Sequence, residues 1–362
     1  MEDPNSSPAE ANPNPEIRKR RVRYSGTHPR KFSEKYKELD PQKYPETVAK
    51  VISSGKTPAG MHRPIMVTEI VRVLDLRAGQ TVVDCTLGYG GHAVEVLKRL
   101  RPGGRLIGLD TDPLEIVRTE ERLRASGWSD DELVVRNTNF AALARVLMEI
   151  GVPTVDGVMA DLGVSSMQLD DPTRGFSFKS DGPLDLRLNP KKGRSAADWL
   201  KNVSREQLLA ALKENSDERH ADLIAAAILD RISDGLNGTR ELAAVVKKAL
   251  LELPRAVRER EGDAPVRRTF QALRIAVNDE FGVLENLLRV LPQCLKPNAR
   301  VAILTFHSGE DRRVKRSFQD GKRAGLYSSI ADEPIRPTPA ELHDNPRSAS
   351  AKLRWAIRSE QA

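Results

Sequence analysis

The sequence predicts an α/β fold: a Rossmann-like, mainly parallel sheet into which a helical unit is inserted. Two observations carry this prediction. Short apolar runs typical of buried strands alternate with helix-periodic segments through residues 61–170, and the same alternation returns over 269–362. Between these blocks, helical patterns follow one another with no strand among them.

The first strand is Val82 to Cys85, and Ala93, Val96, Leu97 and Leu100 share one face of the helix that follows. The turn between them, Thr86-Leu-Gly-Tyr-Gly-Gly-His92, carries Gly88, Gly90 and Gly91, which admit positive φ and bring bare backbone against a ligand. No Gly-Lys-Ser/Thr follows, which argues against a P-loop. The spacing Gly88, Gly90, Ala93 fits a loose dinucleotide fingerprint, so at this point NAD and a nucleoside cofactor both remain open. A second strand, Gly104 to Asp110, ends in an acid placed to accept hydrogen bonds from ribose hydroxyls. A third, Glu132 to Arg136, leads to Asn137-Thr-Asn-Phe140, and a fourth, Val155 to Ala160, ends at Asp161. In an open α/β sheet the ligand lies beyond the carboxyl ends of the strands, so all four ends would face one pocket.

Several long motifs then resemble one family, the ribosomal RNA small-subunit methyltransferase H family. They are Thr86 to His92, Asp161-Leu-Gly-Val-Ser-Ser-Met-Gln-Leu-Asp170, Arg174-Gly-Phe-Ser-Phe to Arg187, Arg268-Thr-Phe-Gln to Asn278, and Thr305-Phe-His-Ser-Gly-Glu-Asp-Arg312. The resemblance runs from about His62 to Asn345-Pro-Arg and leaves out the first sixty or so residues. It implies a class I S-adenosylmethionine-dependent methyltransferase sheet with an inserted helical substrate-recognition domain. The implied reaction is methylation of the exocyclic N4 of a cytosine in the decoding region of 16S rRNA. Carried over by position, the cofactor contacts fall on Gly90, Gly91, His92, Asp110, Phe140, Asp161 and Gln168. The chain departs from the family pattern at Ala264, where His is usual, and at Gly309, where Leu is usual.

Asp161 and His307 are the candidate catalytic residues. Cytosine N4 is a poor nucleophile because its lone pair is delocalised, so a carboxylate accepting an N4–H bond would localise that pair and take up the developing charge. Ser308, beside His307, is a second candidate for holding the base. The base would have to be exposed or flipped out of its stack. Two other classes compete: a nicotinamide dehydrogenase, and a non-enzymatic RNA-binding protein. A methyltransferase acting on another amino group is a closer rival, although Asp-Leu-Gly-Val at strand four replaces the usual Asp/Asn-Pro-Pro-Tyr/Phe box.

The formal net charge of +7 favours a polyanionic partner, here a small-subunit ribosomal RNA or its 30S particle. No apolar run has the roughly 20 residues a membrane helix needs. Cys85 and Cys294 read as buried free thiols, which with the acidic Pro-rich start suits a cytoplasmic protein; no metal-ligand spacing stands out. A homodimer is left open.

Four segments are expected. Residues 1–60, Pro/Ser/Asn-rich and then basic from Arg18 to Tyr24, form a disordered or loosely docked arm, either RNA-contacting or solubilising. Residues 61–170 and 269–362 are the two parts of the core. Residues 171–268 hold an irregular loop and a helical RNA-recognition unit. In that loop Phe176 and Phe178 could stack on a base or pin the loop down, and Arg187 could clamp a phosphate. A basic edge of Arg255, Arg258, Arg260, Arg267 and Arg268 could face rRNA or solvent. Pro64 to Asp75 reads as a helix on the sheet edge, and Leu273 to Leu291 as one long helix.

Overall fold

The computed structural model describes residues 43–44 and 64–360. Most of the expected N-terminal arm and His62 lie outside the described residues. The chain begins with α1 (Val67–Leu74), β1 (Thr81–Asp84), α2 (Gly91–Leu100), β2 (Arg105–Asp110), α3 (Glu115–Ala125), β3 (Leu133–Asn137), α4 (Leu143–Glu149) and β4 (Val155–Asp161). A one-turn α5 (Ser166–Asp170) opens the insertion. It continues through α6 (Ala196–Asn202), α7 (Arg205–Ser216), α8 (Ala221–Ile232), α9 (Thr239–Ala249), α10 (Arg255–Glu261) and α11 (Ala264–Asn278). The chain then returns through α12 (Glu280–Val290), β5 (Leu295–Thr305), α13 (Ser308–Arg323), β6 (Tyr327–Ile330), α14 (Pro339–Asp344) and β7 (Lys352–Arg358).

The seven strands form one sheet in the order β3-β2-β1-β4-β5-β7-β6. Pairings from β3 to β5 are parallel, and β7 is antiparallel to both its neighbours. The order reverses beside β1, so the carboxyl ends of β1 and β4 flank the switch-point crevice where open α/β sheets bind ligands. Strand residues alternate between two cores, as a period of two requires. Val83, Ile107, Val158 and Ile303 face α4, α12 and α13. Val82, Leu106, Met159 and Leu304 face α1 and α2. The first helix therefore covers a face of the sheet, with Ile70 and Leu74 buried there, and not the edge the sequence suggested.

The insertion has its own core, including Leu200, Leu208, Ile224, Leu242, Val246 and Leu273. Ser204 and Gln207 form the capping box that starts α7, with the Ser204 hydroxyl accepting from Gln207 N at 3.2 Å and the Gln207 carbonyl from Ser204 N at 3.0 Å. Val266, Phe270 and Leu273 of α11 also pack in this core, so the inserted layer runs past residue 268 to Asn278. The single helix expected over 273–291 is instead two. Asp279 sits at φ 49, a left-handed conformation that aspartate tolerates, and Arg274 grips Glu280 across the break through two 2.8 Å hydrogen bonds. No helix among the described residues is long and apolar enough to cross a membrane.

Candidate active site

A cavity of about 720 Å³ opens beyond the carboxyl ends of β1, β2, β4 and β5, with the insertion as its far wall. The Gly-rich turn forms one side. Gly88 is at φ 47 and its N–H donates to Asp110 Oδ2 at 2.7 Å, while the Thr119 hydroxyl holds the Gly88 carbonyl from behind. At Gly91 a Cβ would lie 2.2 Å from Pro64 Cγ, so only glycine lets the segment before α1 close over the turn. His92 Nε2 bonds the Ile65 carbonyl at 3.0 Å and completes that closure.

Gly91, His92, Asp110, Phe140, Asp161, Gln168 and His307 all line this cavity. Gly90 does not. Its Cβ direction meets Thr119 Cγ2 at 3.0 Å and Leu123 beyond, so it faces α3, and its φ of 70 serves the start of α2. Asp110 receives Gly88 N on one oxygen and Asp112 N on the other (2.8 Å), and burial raises its carboxyl to about 6 against those bonds. Gln168 is already engaged: its carbonyl accepts from Ser165 N at 2.9 Å and its amide donates to Asp112 Oδ2 at 2.9 Å.

Asp161 is the least compensated acid in the cavity. Its backbone N–H donates to Thr86 Oγ1 at 2.7 Å, and Thr86 N in turn donates to the buried carboxylate of Asp84 at 3.0 Å. Burial pushes the Asp161 carboxyl up to about 8, with Asp84 and Glu310 adding repulsion, and burial likewise raises Asp84 to about 7. The nearest basic group is His92, whose Nδ1 lies 3.7 Å from Asp161 Oδ2. Burial lowers His92 to about 4, so its ring is neutral at pH 7. Because Nε2 faces a carbonyl, which can only accept, the hydrogen is assigned there and the Nδ1 lone pair faces Asp161.

His307 caps α13, with Nδ1 accepting from Glu310 N at 3.4 Å, and its ring tilts against Phe281. Its Nε2 lies 3.2 Å from Glu310 Oε1. Although burial opposes ionisation, His307, Arg274 and the Phe306 N–H together hold Glu310 below the usual carboxylate range. Glu280, His307 and Glu310 bring one ligand atom each within 4.8 Å, but Arg274 already occupies both Glu280 oxygens. Ser308 turns away to donate to Asp217 at 2.8 Å, tying α13 to the insertion. Gly309 also has a packing reason: a Cβ there would meet Phe281 Cζ at 2.5 Å, so the phenylalanine fills space a leucine would need.

The loop residues redistribute as well. Phe176 is buried in the insertion core, whereas Phe178 is half-buried, 5.8 Å from the Phe270 ring. Arg187 is held by Asp185 at 2.8 and 2.6 Å, and Arg268 by Glu218 and Glu261 at 2.7 and 2.9 Å, so neither is a free cation. The sequence reading missed the buried Asp112–Arg174 pair at 2.6 Å, although Asp112 follows Asp110 by two and Arg174 opens a quoted motif. It also missed Arg347, which closes the cavity against Asp170 at 2.7 Å from the Asn345-Pro-Arg stretch.

Strand order, the reversed last pairing and a nucleoside-sized cavity with an acid at the end of β2 define a class I methyltransferase. The sequence comparisons give the family. The MraW methylase family model matches residues 59–359, and the chain belongs to that family. Ribosomal RNA small subunit methyltransferase H 1 of Lachnoclostridium phytofermentans is 51% identical over 345 residues, 95% of this chain and 94% of that protein. Ribosomal RNA small subunit methyltransferase H 2 of Alkaliphilus metalliredigens is 51% identical over 346 residues, 95% and 99% of the two chains. Ribosomal RNA small subunit methyltransferase H of Acidothermus cellulolyticus is 42% identical, covering 84% and 95%.

The cofactor is S-adenosylmethionine, and the residues present fit it. The glycine turn leaves room for backbone approach, Asp110 stands where ribose hydroxyls would bond, and the under-compensated acid Asp161 suits a sulfonium cation.

Proposed function

We propose that the protein transfers the methyl group of S-adenosylmethionine to the exocyclic N4 of a cytosine in the decoding region of 16S rRNA. The relatives' names supply the small-subunit rRNA. The observation that carries the chemistry is Asp161, a part-buried carboxyl raised to about 8 at the end of β4, on the lining of the cavity. S-adenosylmethionine supplies the electrophilic methyl carbon. The chain's work is to align N4 with that carbon and to accept charge from the amine as it becomes positive. Asp161 accepts an N4–H bond and then the proton. Thr86 fixes its backbone and Asp84 holds Thr86 in turn. His92, kept neutral by burial, faces the Asp161 carboxyl with a lone pair. Asp110 holds the nucleoside, and the insertion presents the RNA.

Two predictions follow from this arrangement. Asp110→Ala weakens S-adenosylmethionine binding by about 1–3 kcal/mol, the value of a lost charge-assisted hydrogen-bond pair; unchanged affinity in calorimetry would refute the ribose assignment. Binding of the cationic cofactor near pH 7 releases protons, because a positive charge pulls the Asp161 and Asp84 carboxyls down from about 8 and about 7. S-adenosylhomocysteine, with a neutral sulfur, releases fewer. Binding enthalpies that are independent of buffer ionisation enthalpy for both ligands would refute it.

The function is tested with methyl-labelled S-adenosylmethionine and small ribosomal subunits from cells lacking the enzyme, digested to nucleosides. Label in N4-methylcytidine is expected. Label in another nucleoside would keep the cofactor and overturn the target.

A further inference from the structure

We infer that Arg267 and Lys179 form a phosphate clamp at the mouth of the cavity, gripping the backbone of the target nucleotide while Phe178 and Phe270 bound the space its base enters. This rests on the RNA substrate proposed above and names the residues that would hold it.

The inference starts from helical spacing. Arg267, Phe270, Gln271, Arg274 and Asn278 stand at i, i+3, i+4, i+7 and i+11 on α11, and all five line the cavity. They form one stripe running inward from the exposed Arg267. Each polar side chain further in already has a partner. Gln271 donates to the Asn215 carbonyl at 2.9 Å, Arg274 is locked on Glu280, and Asn278 bonds the backbone of Leu186, Arg274 and Leu188. Arg267 alone on the stripe has a side chain with no hydrogen-bond or ion-pair partner among the described residues.

The loop packed beside this stripe repeats the pattern. Phe178 packs against Phe270 with ring centroids 5.8 Å apart, and the next residue, Lys179, is exposed and likewise without such a partner among the described residues. Helix and loop therefore share one aromatic pair and each adds a free cation on its outer side. An acid beside them, Asp263, is bound to Lys247 at 2.8 Å. That bond chiefly holds Asp263 below the usual carboxylate range, and Arg267 and Lys179 add to the effect, which places both near it. Three cations around one carboxylate leave a local surplus of positive charge.

Three arginines of the basic segments are paired within the protein. Arg255 is bound to Glu259, Arg268 to Glu218 and Glu261, and Arg187 to Asp185. Paired cations release few counterions on meeting RNA, whereas exposed unpaired ones at a rim gain from phosphate neutralisation at little desolvation cost. A nucleotide has the matching layout, with a flat ring to lie against the aromatic pair and a phosphodiester for the mouth.

The test measures methyl transfer to unmethylated small subunits across a range of salt for the wild type, Arg267→Gln, Lys179→Gln, the double variant and Arg267→Lys. Calorimetry with S-adenosylmethionine runs alongside. The double change is expected to raise KM for the subunit about tenfold and to reduce the slope of log(kcat/KM) against log salt by about one per removed cation. Cofactor affinity stays unchanged, and Arg267→Lys retains most of the salt slope. Both residues are exposed, so the folded state is expected to survive, and thermal melts check this. An unchanged KM and salt slope in the double variant, with an active wild type, overturns the clamp alone. A loss of cofactor affinity matching the loss of activity also overturns it. A wild type that labels no rRNA nucleoside overturns the functional reading, and the clamp with it.

Discussion

Replacing Arg174 with alanine is expected to lower the unfolding free energy by about 3–5 kcal/mol, the typical cost of stranding one member of a buried ion pair. Asp112 is fully buried, and Arg174 Nη1 reaches its Oδ2 at 2.6 Å. The other Asp112 oxygen accepts Leu114 N at 3.0 Å, and Gln168 shares Oδ2, so no water-exposed edge is left to relieve a lone charge. Arg174 also donates to the carbonyls of Arg187 and Leu188 at 3.1 and 2.9 Å. Its loss therefore frees the loop that carries Phe178 and Lys179 from the end of β2. Urea unfolding of the variant measures the effect. The double change Asp112→Asn with Arg174→Met should recover part of the loss, because it removes both charges together. A single variant within about 1 kcal/mol of wild type would show that the pair contributes little.

Asp161→Asn is expected to slow single-turnover methyl transfer by on the order of 10²–10⁴-fold, the range for a positioned proton acceptor. Asparagine keeps the shape and can still accept an N4–H bond, but it cannot carry the proton away. A near-normal rate would remove Asp161 from the chemistry. The same variant carries a stability signature of opposite sign. The folded Asp161 carboxyl titrates near 8 and the unfolded one near its ordinary 3.8. Between those values the folded state keeps a proton that the unfolded chain has released, so this group destabilises the fold increasingly as pH rises from about 4 to about 8. Asparagine removes that penalty. The variant should melt above wild type at pH 8, and the gap should close towards pH 4. A gap independent of pH would assign the effect to packing. On the function proposed above, the site stores a destabilising acid where the chemistry needs one.

Much of this site is legible along the chain because local physics writes it there. The alternation of strand and helix patterns, the glycine turn and the acids ending strands two and four each sit within a few residues of one another. An open α/β sheet then brings such strand ends together. The capping box at Ser204 is visible for the same reason, since its two bonds span three residues. The resemblance quoted from Thr86 to Arg312 adds the family, and the family match agrees with it.

What the sequence by itself determined, then, is the fold class, the family and the strand ends that meet at the cavity. Only the tertiary structure decided which charges remain free. Arg187, Arg267 and Arg268 look alike in sequence, yet Asp185 claims the first and Glu218 the third, while Arg267 is left at the cavity mouth. His307 reads as a candidate catalytic residue that could hold the target base, and packing also makes it a helix cap against Phe281 on the cavity lining. Gly90 belongs to the glycine turn but faces α3. The physical reason is that pairing, burial and the resulting proton affinities depend on partners up to hundreds of residues away, such as Glu341 on Met66 and Arg347 on Asp170. No window along the chain contains both members of such pairs, so their charges are assigned only when the sheet and its insertion close around one cavity.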